Sequence, residues 1–219
     1  MRIHYAISLL LILLTLSCEH TSYNTGDGKY SHLQSDYVSV EVKDCYVQSI
    51  TTDEDSPLNI KTGMRVDVEP KDTTLRWLLY YNSAGDGGVI DIVGRNTMTL
   101  LEPKEKSLIG TMKTDPVKLI SVWVAKNKKY LNMHLGLMMG NSETENSKHV
   151  VGLSLDDVND DTAYYTFYHD QSGIDEYYTQ DVYLTMKCPE QKTIDLTINT
   201  YNGTWHKQFT VNNSQFTVK

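Results

Sequence analysis

Three cysteines are all that this 219-residue chain carries, too few for a disulfide-stapled scaffold. There are five prolines, three phenylalanines and three tryptophans, against 15 tyrosines. No apolar run approaches the roughly 20 residues that a membrane-spanning helix needs: Ala6–Leu16, broken by Ser8 and Thr15, is a short stretch. Positive charge is scarce as well, with 20 Lys and Arg against 28 Asp and Glu and a formal net charge of −8. A chain without clustered cations is not built to hold a phosphate backbone, which excludes nucleic acid as a partner. Helical signals are nearly missing, since "VIDIVGRN" and "PKEKSLIG" are too short or too polar.

What is present is a globular composition, 40% hydrophobic and 22% charged. Tyrosine suits half-buried strands and binding surfaces, because its ring packs while its hydroxyl stays wet. At the N-terminus, Arg2 precedes the apolar run and small residues follow it, the pattern of a secretory signal peptide. The run ends in Leu16-Ser17-Cys18, which resembles a bacterial lipobox, with cleavage before Cys18 and lipid on its thiol. Several acyl chains on one residue anchor far more firmly than one, since each buried CH₂ adds about 0.8 kcal/mol. The expectation is a lipid-anchored protein of the cell envelope, held in the outer membrane through Cys18. Residues 1–17 are then the signal peptide, and 18–35, polar and without periodicity, a flexible tether. Cys45 and Cys188 read as two semi-buried thiols, although an exported compartment permits a disulfide between them.

The folded chain reads as all-β. Val38, Val40 and Val42 alternate with polar residues, "TTDEDSPLN" is an acidic loop, and "GMRVDVEP" alternates again through Met64, Val66 and Val68. "LRWLLYYNSAGDGGVIDIVG" is a hairpin around glycines. These short strands predict a small barrel over 36–98. Strands then follow at 117–124 and 130–139, flanking the basic turn "AKNKK", and in five further segments up to Val211. Seven strands with polar connections predict a β-sandwich over 99–219. Asn202-Gly203 signals a type I′ turn that pairs Leu196 with Phe209 and Ile194 with Val211.

No reaction motif emerges. Asp157, Asn159 and Asp161 begin a calcium-loop pattern, but Thr162 and Tyr168 occupy the positions that need Gly and Glu. The seven histidines show no metal-ligand spacing. His169, Asp170, Ser172, Asp175 and Glu176 crowd one loop, whereas catalytic triads draw their members from separate rigid elements. No catalytic residue, metal or cofactor is expected, and a hydrolase built on that loop is the weakest alternative. The tyrosines near that loop are placed on two adjacent strands, where cross-strand pairing is worth about 0.2–1 kcal/mol each. Those turned outward, Tyr165, Tyr168, Tyr177 and Tyr178, form a candidate surface for a protein or glycan partner.

The segments Asp115–Val124, "YLNMHLGLM", "HVVGLSL" and "TFYHDQSGIDEYYTQDVYLTM" resemble the NigD-like lipoproteins of gut and oral anaerobic bacteria, over most of residues 100–211. The resemblance implies an OB-like N-terminal barrel, an immunoglobulin-like β-sandwich after it, and a lipid tether. That family has no agreed catalytic residues to carry over. Its name comes from bacteriocin production, which implies bacteriocin immunity or an accessory role as the alternative to a plain non-enzymatic binding module.

Overall fold

The computed structural model describes residues 32–83, 88–142 and 147–211. Cys18, the expected signal peptide and all but the last residues of the expected tether lie outside them. The described chain is almost wholly β. Its strands are β1 (Leu33–Lys43), β2 (Tyr46–Thr52), β3 (Pro57–Leu58), β4 (Thr73–Asn82), β5 (Asp91–Leu100), β6 (Lys104–Glu105) and β7 (Lys118–Val124). They continue as β8 (Tyr130–Met139), β9 (Val150–Val158), β10 (Thr162–Asp170), β11 (Tyr178–Lys187), β12 (Thr193–Thr200) and β13 (Gly203–Thr210). Among the described residues the helical content is one 3₁₀ turn, Lys106–Leu108, and no helix is long and apolar enough to cross a membrane.

Two sheets result. One has eight strands in the order β3-β2-β1-β4-β5-β11-β8-β7, the other five in the order β13-β12-β10-β9-β6. Alternation places the cores. On β8, Leu131, Met133, Leu135 and Leu137 are buried, and they cluster with Leu153 of β9, Phe167 of β10 and Leu196 of β12. Each such side chain contributes about 1.5–3 kcal/mol on leaving water. A second cluster joins Val38, Val40, Ile50, Trp77 and Leu79 under the N-terminal strands.

The expected barrel is not closed. Among the described residues β3 forms an edge, and a lone backbone bond, Ile90 N to Asn59 O at 2.9 Å, reaches back toward β5. A two-residue β3 is too short to carry a closing ladder, and the far end of β5 is taken by β11. The stretch expected as a strand over Met64–Val68 makes only an isolated bridge, Tyr46 with Arg65. Its apolar side chains still pack on the N-terminal cluster, so the period reports burial without a ladder.

The last hairpin forms two positions away from the expected register. Ile194 pairs with Phe209, Ile198 with Trp205 and Thr200 with Gly203. A type I′ turn needs positive φ at both central residues. Here Gly203 takes the positive φ, +103°, and sits just after the turn residues Tyr201 and Asn202. A shift by two preserves which face each side chain takes, so Ile194, Leu196 and Ile198 remain fully buried.

The two halves meet where the acidic loop after β2 reaches the basic turn between β7 and β8. Lys129 Nζ donates to Asp55 at 2.8 Å, Asn127 N donates to Asp53 O at 2.8 Å, and Lys126 pairs with Glu54. Behind this rim, Arg76 of β4 is 1% exposed. Its guanidinium donates to Asp53 Oδ2 at 2.9 Å and Ser39 Oγ at 3.0 Å, and lies 3.9 Å from the Tyr130 ring centre.

Candidate binding surface

The tyrosines do not form one row. β10 belongs to the five-stranded sheet and β11 to the eight-stranded sheet, so the expected adjacency of the two strands fails. Along β10 the alternation is strict: Ala163, Tyr165, Phe167 and His169 turn inward. Tyr165 is 5% exposed within the sandwich core, where burial raises its phenol pKa to about 12, and it offers nothing to a partner. Tyr168 faces outward, but its ring lies over Gly152, its cross-strand partner; a Cβ there would come within 2.3 Å of the ring. Its position is that of a sheet-stabilising pair. Tyr177 and Tyr178 are exposed, at 66% and 59%.

Tyr201, at the tip of the last hairpin, joins them. Its hydroxyl donates to Glu176 Oε1 at 2.6 Å, and Gln171 Nε2 donates to the same oxygen at 3.3 Å. Burial, then the Glu176 carboxylate, hold the Tyr201 phenol well above its ordinary pKa. The Tyr177 hydroxyl donates to Asp175 Oδ2 at 2.8 Å. The loop itself is pinned by Gln171 Nε2 to Ile174 O at 2.7 Å and by Asp175 N to Asn141 O at 2.8 Å. Beyond Tyr201 a groove of about 640 Å³ runs along Val117, Leu119, Ile120 and Trp205. Ile120 falls at the register shift between Leu119 and Ser121, and is 49% exposed. Tyr201, Trp205 and Ile120 escaped sequence reading. The hairpin signal marks Tyr201 as a tip residue, but only the packing brings that tip to the loop.

The chemistry-bearing residues of the loop are engaged elsewhere. His169 is 1% exposed and turned inward. Its Nδ1 donates to Asp115 O at 3.1 Å, which leaves Nε2 to accept from His149 Nδ1 at 2.8 Å. Asp170 pairs with Lys113 at 2.9 Å and accepts from Ser172 N at 2.8 Å. Lys113 and the Ser172 backbone together hold the Asp170 carboxyl below its usual range. Asn159 Oδ1 accepts from Asp161 N and Thr162 N, and Asp161 pairs with Lys192, so the calcium-like run is an internally bonded turn. No group of His, Cys, Asp or Glu among the described residues is arranged to hold a metal. Cys45 and Cys188 are free thiols, and burial pushes Cys188 up to about 12.

Comparison with known proteins follows this architecture. A NigD-like immunity protein from Bacteroides caccae is similar at 23% identity, covering 81% of this chain and 96% of its own, with a TM-score of 0.61. A protein of unknown function from Bacteroides vulgatus is similar at 14% identity, over 85% and 94%, with a TM-score of 0.62. A candidate lipoprotein from Bacteroides fragilis is similar at 13% identity, over 81% and 96%, with a TM-score of 0.53. At such identities the likeness speaks to fold alone. No curated protein matches the chain. Residues 97–212, more than half of the sequence, match the NigD-like C-terminal beta sandwich domain, and the chain belongs to the NigD-like family.

Proposed function

We propose that this protein is a non-enzymatic binding module of the bacterial cell envelope, anchored by lipid on Cys18, whose partner rests on the edge formed by Tyr177, Tyr178 and Tyr201. The observation that carries this reading is the bond between Tyr201 and Glu176. It fastens a hairpin tip to an acidic loop, with Tyr177 and Tyr178 exposed at that loop and Tyr201 lining a groove that also holds Ile120 and Trp205. Exposed aromatics on a fixed frame supply contact area at small conformational cost, as interaction surfaces do. The lipobox supports the anchor, and so does the candidate lipoprotein among the similar structures.

The experiment is a pull-down and a glycan array with the mature protein, repeated with Tyr177→Ala and Tyr201→Ala. A partner retained by the wild type and lost by both variants is the expected result. An empty array and pull-down at high concentration, or retention by both variants, would sink the reading.

Bacteriocin immunity is the second reading. It is favoured by the likeness to the Bacteroides caccae protein, a NigD-like immunity protein, and by a net charge of −8, which steers a basic toxin toward the surface. Deletion of the gene should then sensitise the cell to such a toxin; unchanged sensitivity removes this reading.

A further inference from the structure

β5 and β11 are internal strands of the eight-stranded sheet, yet they are neighbours at two positions only, Leu184 with Thr99 and Thr185 with Leu100. On its other side β5 is paired with β4 from Asp91 to Met98, and β11 with β8 from Tyr178 to Lys187. The two strands run parallel and part company toward their starts, so a wedge opens between residues 93–98 and 178–183. Among the described residues, the backbone groups that face this wedge have no strand to pair with.

Exposure records the same opening. In a strand inside a sheet, burial alternates or is continuous. Here Arg95, Asn96 and Thr97 are exposed in succession, and so are Tyr178, Thr179, Gln180 and Asp181. The wedge has a volume of about 530 Å³ and reaches the sandwich interior, where Leu137, Val151, Val182 and Leu184 line it. Two unpaired edges over an apolar floor are the features that take up an added strand: backbone bonds give affinity and alternate side chains give selectivity.

The charge at the mouth chooses the occupant. Arg95 lies with its guanidinium carbon 4.2 Å from the Trp77 ring centre and has no carboxylate partner among the described residues. Asp181, the acidic residue across the wedge, lies 3.5 Å from His134 Nε2. The Arg95 cation, fixed on an aromatic face, is left to meet a carboxylate from outside.

We propose that the wedge between β5 and β11 takes up an extended peptide segment of another protein as an added strand, with an acidic side chain of that segment on Arg95. The site is separate from the Tyr177–Tyr201 edge and does not depend on it.

The test uses the full chain and an array of seven-residue synthetic peptides that alternate apolar and polar residues, with one glutamate moved through each position. Amides of 94–98 and 179–183 that face the wedge should exchange rapidly with deuterium in the free protein, and slowly once a peptide is bound. Array peptides that bind should lose at least tenfold in affinity when alternate peptide amides are N-methylated. The same loss should follow Arg95→Glu and a smaller one Arg95→Lys, which keeps the charge but not the stacked guanidinium, whereas Lys192→Ala, at a surface ion pair that does not line the wedge, should leave binding within about twofold. Protected wedge amides in the free protein, an array without binders, or binders indifferent to N-methylation and to Arg95→Glu would overturn the proposal. Self-association of the chain that Arg95→Glu abolishes would assign the wedge to a second copy and overturn it equally.

Discussion

Arg76 and Asp53 face each other at 2.7 Å, the arginine side chain fully buried and the carboxylate 13% exposed, and both also bond Asn132 of β8. Arg76 Nη2 donates to Asn132 Oδ1 at 3.3 Å, Asn132 Nδ2 donates to Asp53 Oδ2 at 2.8 Å, and Thr185 Oγ1 of β11 donates to Asn132 Oδ1 at 2.9 Å. This network ties β4 and the acidic loop to the inner strands of the C-terminal half.

Removing one member of a buried ion pair leaves the other uncompensated, at a cost of about 3–5 kcal/mol. Asp53→Ala should lower stability by that amount in denaturant unfolding, and Arg76→Met/Asp53→Leu should recover most of it. The rim pair Lys129–Asp55 is half-exposed, so Lys129→Ala should cost no more than about 1 kcal/mol. Equal losses from Asp53→Ala and Lys129→Ala would show that burial does not set the cost.

Tyr168 and Gly152 should act as one unit. Gly152→Ala forces the Tyr168 ring away, and Tyr168→Ala removes it. Each should cost about 1 kcal/mol, within the range of cross-strand pairs. The double variant should lose little more than either alone, because the shared contact is lost once. Additive losses in thermal unfolding would refute the pairing.

Stability should fall in mild acid through His149, whose ring stacks on that of His169 with ring centres 5.1 Å apart. Burial first, and the His169 ring second, hold the His149 pKa below its ordinary value. The unfolded chain therefore takes up this proton at a pH where the folded chain does not. The contribution is intact above the unfolded pKa of about 6.5, declines as pH drops below it, and levels off beneath the folded pKa. His149→Gln should flatten that part of the unfolding-midpoint curve; parallel curves for wild type and variant would exclude His149 as the cause.

Cys18→Ala should abolish incorporation of radiolabelled palmitate and either release the protein from the membrane fraction or leave its precursor uncleaved. Undiminished labelling of the variant would rule out Cys18 as the anchor.

Strand identity was legible wherever alternation was long. The segments through Leu131–Met139, Ala163–Asp170 and Ile194–Thr200 fold as the period of two predicts, because one buried face dictates both strand and side-chain direction. Two signals misled for local reasons. Met64, Val66 and Val68 alternate but lack a neighbouring ladder, and Asn202-Gly203 places its glycine after the turn rather than inside it.

The acidic loop and the basic turn "AKNKK" were both visible, yet nothing in one dimension says that they touch. Tyr165 and Tyr168 were legible as strand residues, but their candidacy for a surface depended on which neighbour each strand would find. Tyr165 met the core and Tyr168 met Gly152.

By itself the sequence determined an all-β chain and its strand periods, since alternation is a local property, and the order of its segments carried the resemblance to the NigD-like family. Tertiary structure alone decided that β5 passes to β11 instead of closing a barrel, that Tyr201 meets Glu176, and that a wedge is left beside Arg95. Those outcomes depend on which distant strands become neighbours, and long-range pairing is fixed by packing of the whole rather than by any short stretch.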